Sequence, residues 1–167
     1  MRHNSGGTDG LDLIVPSRLT DRKYVAYSKE ARDNPTGLIH FTPPQQAWVN
    51  PVDRPGFRGP TILLTGQDCA SDCETFVLAT MGRQPAIVRI GDPTEGIFSN
   101  LLERRLPNGW RFELSNEVFH AMDGRVFEAV GVPPDIAIPL FTQEDATNRR
   151  DPAIERALTI LNSVGQH

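Results

Sequence analysis

The 167-residue sequence has no long apolar run, and none of its hydrophobic stretches approaches the roughly 18 residues of a membrane-spanning helix. Its N-terminus, MRHNSGGTDG, is polar and rich in glycine. A secretory signal peptide needs an apolar central region, which this stretch lacks. The sequence therefore predicts neither a membrane span nor a signal peptide.

The chain also lacks an excess of positive charge. Its 17 lysines and arginines against 21 aspartates and glutamates give a formal net charge of -4. Proteins that bind nucleic acid or anionic membrane surfaces carry basic patches, whereas the basic residues here are scattered. We expect neither of these partners.

Cysteine is scarce, because Cys69 and Cys73 are the only two in the chain. Their spacing of four could place both thiols on one helix face, but a zinc site needs four ligands and no histidine lies nearby in the sequence. A disulfide is conceivable if the turn is not helical, although the loop would be very short. The interpretation that we favour is two small buried residues that pack the turn, with no metal and no other cofactor.

The order of strand, helix, strand and hairpin indicates an α/β domain with crossover connections, and the apolar strands suit a sheet covered on both faces. A stretch rich in proline and glycine at 34–60 predicts an irregular surface segment. The predicted helices are 10–19, 74–82 and 151–164, the predicted strands are 23–28, 61–66 and 85–91, and 110–138 is predicted to form a hairpin around the turn Asp123-Gly124.

Ser71 lies where the predicted strand 61–66 gives way to a helix. At a helix N-terminus the free N–H groups and the helix dipole favour developing negative charge, which acyl transfer requires. Glu74, three residues later, would also complete a capping box with Ser71. The local pattern alone favours capping, and capping and catalysis are compatible.

Four segments resemble those of one peptidase family. The stretch GQDCASDCETFVLATMGRQPAIVRIGDPTEG resembles the nucleophile segment of the serine peptidases that include the tail-specific proteases, tricorn core protease and the chlamydial protease-like activity factor. RHNSGG resembles the family's Arg-x-Asn-x-Gly-Gly loop. FEAVGVPPDI resembles its Glu-Gly-x-Gly-x-x-Pro-Asp motif, with Ala129 in place of the first glycine, and DPAIERALTIL resembles its closing helix.

The resemblance implies an α/β fold of the ClpP/crotonase-like αβ-superhelix type, truncated at the N-terminus. The chain 1–167 would be the C-terminal portion of the catalytic domain. The nucleophile segment would span 61–97, the hairpin 110–138 and the closing helix 151–164.

The resemblance also implies site residues. Ser71 would be the nucleophile, and the backbone N–H groups of Asp72 and of Gly6 or Gly7 would form the oxyanion hole. The tail-specific branch places its lysine where this chain has Ile97, and this segment contains no lysine. The resemblance therefore favours the tricorn-like Ser-His-Glu branch, with Glu128 as the supporting glutamate.

The histidine of that branch lies upstream of the Arg-x-Asn-x-Gly-Gly loop, in sequence that this chain does not contain. His3, His40, His120 and His167 match no motif position, and His120 is the best of them because it shares the predicted hairpin with Glu128. We therefore expect this chain to lack its general base.

The function implied is a serine peptidase that acts on peptides or unfolded chain ends, in a periplasmic or secreted location. A missing strand would expose a sheet edge and favour self-association into a homo-oligomer. Two alternatives stay open: a non-catalytic module of the same fold that binds a lipophilic ligand or a peptide, and a thiol or metal site at Cys69 and Cys73.

Overall fold

The structure is a computed structural model that describes residues 1–8, 10–33, 39–53 and 56–164. The helices are α1 Ile14–Arg18, α2 Asp72–Met81, α3 Gln143–Asn148 and α4 Pro152–Val164, and a 3₁₀ turn at Leu11–Leu13 precedes α1. The strands are β1 Tyr24–Ala31, β2 Gln45–Val49, β3 Ile62–Thr65, β4 Val88–Gly91, β5 Leu101–Arg105, β6 Arg111–Ser115, β7 Glu117–Ala121 and β8 Ile136–Ala137. Within the described ranges no helix is long and apolar enough to cross a membrane.

The strands of the described residues form three sheets. One is antiparallel in the order β2-β1-β7, a second is parallel in the order β3-β4-β8, and β5 pairs with β6 as an antiparallel hairpin. Parallel neighbours need a crossover connection, and α2 supplies it between β3 and β4. The prediction of an α/β fold is therefore confirmed.

The parallel sheet is covered on both faces, as its apolar strands predict. Leu63 of β3 faces the larger core cluster, which includes Val77 and Leu78 of α2. The neighbouring Ile62 and Leu64 instead pack on a second cluster around helix α4, because successive side chains of a strand point to opposite faces.

Two predictions about individual elements differ from the structure. The helix predicted at 10–19 is divided into a 3₁₀ turn and the short α1, with Pro16 buried inside α1. Strand β2 lies inside the stretch 34–60 that the sequence predicts to be irregular, and residues 34–38 and 54–55 of that stretch lie outside the described residues.

The hairpin predicted over 110–138 is wrong. Strand β6 pairs with β5, and β7 pairs with the distant β1. Residues 122–135, all of them described, contain no strand. The predicted turn at Asp123-Gly124 exists, since the N–H of Gly124 donates to the carbonyl of Ala121, but it leads into irregular chain. Alternating apolar residues show which face of a strand is buried without identifying its partner strand.

A buried carboxylate holds together the segments that follow β4. Glu74 of α2 is fully buried and accepts hydrogen bonds from the Thr94 hydroxyl at 2.5 Å, the Gly96 N–H at 2.8 Å and the Ile97 N–H at 2.7 Å. The Thr94 hydroxyl oxygen in turn accepts from the N–H of Val132 at 2.7 Å. These bonds fix residues 94–97 against both α2 and the segment that leads to β8.

Two glycines allow the backbones of 94–97 and 129–132 to approach each other. Gly96 has φ 86° and Gly131 has φ 73°, a region that side chains disfavour. A Cβ atom on Gly96 would lie 2.8 Å from the backbone nitrogens of Gly131 and Val130. Because backbone cannot yield as a flexible side chain can, this contact requires glycine.

We predict that Glu74→Gln lowers the free energy of unfolding by roughly 1–3 kcal/mol. The two carboxylate oxygens accept from Gly96 and Ile97 separately, so a glutamine places its NH₂ group against one of these N–H donors. Equal stability of the variant and the wild type in urea unfolding would contradict the stabilising role assigned to the hydrogen bonds that Glu74 accepts.

The difference in stability between the wild type and Glu74→Gln should also depend on pH. Burial raises the pKa of Glu74 above its ordinary value, although hydrogen bonds from Thr94 and from backbone N–H groups oppose this shift. The folded state therefore binds the proton more tightly than the unfolded state. We expect the stability advantage of wild type over Glu74→Gln to be largest below the ordinary glutamate pKa and to fall as pH rises through the raised value.

We predict that Gly96→Ala is more destabilising than Gly109→Ala by about 1–3 kcal/mol. Both glycines have φ 86°, so the backbone strain of alanine is matched, but a Cβ at Gly109 meets nothing within 4 Å. Chemical denaturation of the two variants measures the difference. An equal loss of unfolding free energy in both variants would show that the close backbone approach at Gly96 does not make the substitution more destabilising.

Candidate active site

Ser71 occupies the turn between β3 and α2 with an uncommon backbone conformation. It is the N-cap residue of α2 and has φ 54° and ψ -123°. Its N–H donates to the carbonyl of Ile97 at 2.8 Å, and its own carbonyl accepts from the N–H groups of Glu74 and Thr75. A positive φ in a residue other than glycine costs about 1–3 kcal/mol and persists only where neighbouring structure supports it.

The capping box that the sequence predicts for Ser71 and Glu74 is not formed. The Ser71 hydroxyl makes no capping hydrogen bond to α2, and the Glu74 carboxylate binds the 94–97 segment instead. Glu74 is fully buried, so its carboxylate needs several donors, and that segment supplies them. The serine side chain takes no part in capping the helix.

The glycine-rich N-terminal loop packs directly against the serine. A Cβ atom on Gly6, which has φ 122°, would lie 3.1 Å from the Cβ of Ser71 and 3.5 Å from its Oγ. A Cβ on Gly7 would lie 3.0 Å from the Oδ2 of Asp72. The loop is held by Asn4, whose carbonyl accepts from Ala70 at 3.3 Å and whose Oδ1 accepts from the N–H of Gly6 at 2.9 Å.

Glu128 reaches the same short segment that supports Ser71. Its Oε2 accepts from the N–H of Phe98 at 3.1 Å, and the N–H of the following Ala129 donates to the carbonyl of Gly96 at 2.7 Å. Ile97, between these two contacts, binds the N–H of Ser71. Residues 96–98 therefore connect Ser71 with Glu128, which the order of the motifs predicts to be neighbours.

A small cavity of about 20 Å³ adjoins Ser71, which is room for one water molecule. The sequence analysis missed most of its wall, which consists of Tyr27, Lys29, Asp72, Thr75, Phe98, Asn100 and Phe119. Lys29 is half-buried there, with its Nζ 2.9 Å from Glu117 Oε1. The alternation of side chains along β1 places Tyr27 and Lys29 on the same face of the strand. That alternation does not show that this face lies beside Ser71.

His120 does not face this cavity. Its Nε2 lies 3.1 Å from Glu30 Oε1, and it lines a different cavity, of about 400 Å³. Phe119 and its register partner Lys29 line the cavity at Ser71, and adjacent residues of a strand point to opposite faces. The position of His120 therefore does not favour it as the base.

The other two described histidines contact carboxylates elsewhere. His3 contacts Asp68 at 2.9 Å, and His40 contacts Asp33. His167 lies outside the described residues. Each of the three described histidines thus pairs with a carboxylate other than Glu128.

Cys69 and Cys73 form a disulfide, so the favoured interpretation of two unbonded packing residues is wrong. Both residues are buried, as that interpretation requires, but their Cα atoms are 5.3 Å apart, within the range that a disulfide spans. Helix α2 begins only at Asp72, so Cys69 lies in the preceding turn and can approach Cys73. In the described part of the chain no group of three or more His, Cys, Asp and Glu side chains could hold a metal ion.

Solved structures share this fold. A putative peptidase from Parabacteroides merdae is 28% identical with a TM-score of 0.87, and the match covers 96% of this chain and 50% of that one. Mature CPAF complexed with lactacystin is 16% identical with a TM-score of 0.78, covering 98% of this chain and 42% of that one. Tricorn protease is 22% identical with a TM-score of 0.57, covering 100% of this chain and 15% of that one.

The chain therefore spans half or less of the length of these proteins. Among curated proteins none matches it significantly. The profile of peptidase family S41 matches residues 1–138, which is most of the sequence and includes the N-terminal loop, the Ser71 turn and the segment around Glu128. This chain belongs to peptidase family S41.

Proposed function

We propose that the chain carries the nucleophile side of a serine peptidase site, in which Ser71 attacks the scissile carbonyl of a peptide or an unfolded chain end. One observation carries this proposal: Ser71 is held at a positive φ at the N-terminus of α2, with its hydroxyl left out of the helix cap. Strained residues that surrounding contacts maintain are concentrated at functional sites. Attack by the hydroxyl would give an acyl-enzyme, which water then hydrolyses.

The oxyanion hole in this proposal combines two backbone N–H groups. Asp72 is the first residue of α2, where the helix dipole favours negative charge. Of the two glycines that the resemblance offers, Gly7 is the donor that we propose, because the N–H of Gly6 already donates to Asn4. The close approach of the loop to Ser71 supports convergence of both donors on one oxygen.

Glu128 would orient the general base rather than act as one. A carboxylate is a much weaker base than the imidazole of histidine and removes a serine proton poorly. The three described histidines are paired with Asp68, Asp33 and Glu30. We therefore propose that a histidine from sequence outside these 167 residues supplies the base and that Glu128 fixes its orientation.

The finer description of the fold belongs to the same proposal. The parallel sheet β3-β4-β8 with its α2 crossover supports a ClpP/crotonase-like αβ-superhelix, of which this chain would be the C-terminal portion.

We predict that this chain alone hydrolyses peptides poorly, and that a version extended upstream restores turnover that depends on Ser71. A serine hydroxyl without a positioned base is a weak nucleophile, and an oxyanion hole alone gives on the order of 10³-fold over water. A broad peptide library, assayed with both lengths and with Ser71→Ala, measures this. Ser163→Ala on α4 is the control, because its hydroxyl bonds only locally, to Ile160.

Two results would contradict these expectations separately. Turnover by the short chain at the rate of the extended one would place the base within these residues. Turnover by the extended chain that survives Ser71→Ala would remove Ser71 from the mechanism.

We predict that Glu128→Gln in the extended version lowers kcat by about 10²- to 10⁴-fold with little change in KM. The amide oxygen of glutamine can still accept from the N–H of Phe98, so the fold is kept while the charge that stabilises an imidazolium is lost. Steady-state kinetics on a peptide substrate, with Glu113→Gln on exposed strand β6 as control, measures the effect. Unchanged kcat in Glu128→Gln would exclude Glu128 from the machinery.

A further inference from the structure

The disulfide brackets Ser71 symmetrically. Cys69 lies two residues before the serine, Cys73 lies two residues after it, and both are at most 1% exposed. Cys69 belongs to the turn that follows β3, whereas Cys73 belongs to the first turn of α2. The bridge therefore closes the base of the loop from which Ser71 projects.

The other supports of this loop are individual backbone hydrogen bonds. The carbonyl of Cys69 accepts from the N–H of Glu95 at 3.0 Å, and the N–H of Ala70 donates to Asn4. The N–H of Ser71 donates to Ile97. Each of these bonds ties the loop to a neighbouring segment. Between the incoming arm and the helix, the N–H of Cys73 donates to the carbonyl of Ala70 at 3.0 Å, and the disulfide adds a covalent link.

A purely global stabilising role fits this bridge poorly. In the chain-entropy account, a disulfide stabilises a fold by restricting the unfolded chain, and the effect grows with the length of the closed loop. Here the two residues are only four apart in sequence. What the bridge restricts most directly is the local conformation of residues 70–72.

We propose that the Cys69–Cys73 disulfide is a positioning element for the nucleophile. It holds Ser71 at its positive φ and thereby aims both the Ser71 hydroxyl and the N–H of Asp72 at one reacting carbonyl. Without the bridge, only the hydrogen bond from Cys73 to Ala70 would link the two arms directly, and Ser71 could relax to an ordinary conformation. This inference rests on the proposed function of Ser71.

A peptidyl boronic acid tests the positioning without a general base. Its boron accepts the Ser71 oxygen, a B–O bond forms, the hydroxyl proton passes to solvent, and the tetrahedral adduct resembles the acyl-transfer intermediate. Because the adduct is measured at equilibrium, its affinity depends on the position of Oγ and of the oxyanion donors. The full 167-residue chain is used, with mass spectrometry to locate the adduct.

We expect Cys69→Ala/Cys73→Ala to bind the boronic acid at least about tenfold more weakly than the wild type, which corresponds to the usual cost of a strained residue. Leu78→Val is the control, because it removes buried volume from α2 at a position outside residues 69–73. Binding is measured where thermal unfolding shows all three proteins folded. A loss in the control as large as that in the double variant would overturn the inference, since general destabilisation would then explain both.

If the double variant does not fold, wild type refolded with its thiols reduced replaces it, and mass analysis verifies the reduction. A Ser71 adduct of equal affinity with and without the bridge would overturn the positioning role and leave the proposed nucleophile standing. No adduct at Ser71 in the wild type would overturn the proposed function and this inference with it.

Discussion

The buried carboxylate of Glu74 is the interaction on which the candidate site depends. A charged group cannot be removed from water without compensation, and Glu74 obtains it from three donors within residues 94–97. Those donors cannot move without leaving an oxygen unsatisfied, so the segment is fixed in place. Since the carbonyl of Ile97 binds the N–H of Ser71 and the N–H of Phe98 binds Glu128, one inward-facing acid sets the positions of both site residues.

Local patterns predicted the elements whose stability is local. An apolar stretch with a glycine stop predicted α2 and its end at Gly82, and the predicted helix 151–164 forms with Asp151 accepting from the N–H of Ile154. The prediction of a hairpin over 110–138 was wrong because β7 pairs with β1, which lies about ninety residues away in the sequence. The capping box predicted for Glu74 was wrong for a related reason. A glutamate three residues after a serine suits a capping box, and the sequence pattern does not show that this side chain is buried in the core.

The site itself was predictable only in part. The turn at Ser71 follows from a strand that precedes a helix, but the approach of Gly6 and the position of Glu128 rest on the family resemblance, because no local pattern links such distant residues. Lys29 could not be assigned, since its place beside Ser71 depends on strand pairing. The disulfide was undervalued because a spacing of four suggests a continuous helix, whereas α2 begins after Cys69.

Two residues with strained backbone conformations contact the same segment, residues 96–98. Ser71 has φ 54°, and Ala129, where the related motif has glycine, has φ 62°. Both contact the 96–98 segment through backbone hydrogen bonds, Ser71 at the Ile97 carbonyl and Ala129 at the Gly96 carbonyl. Strained residues hold their conformation only while such contacts over-determine it. Any change that loosens residues 96–98 therefore releases both strained positions together, so the turns at Ser71 and at Glu128 depend on one and the same segment.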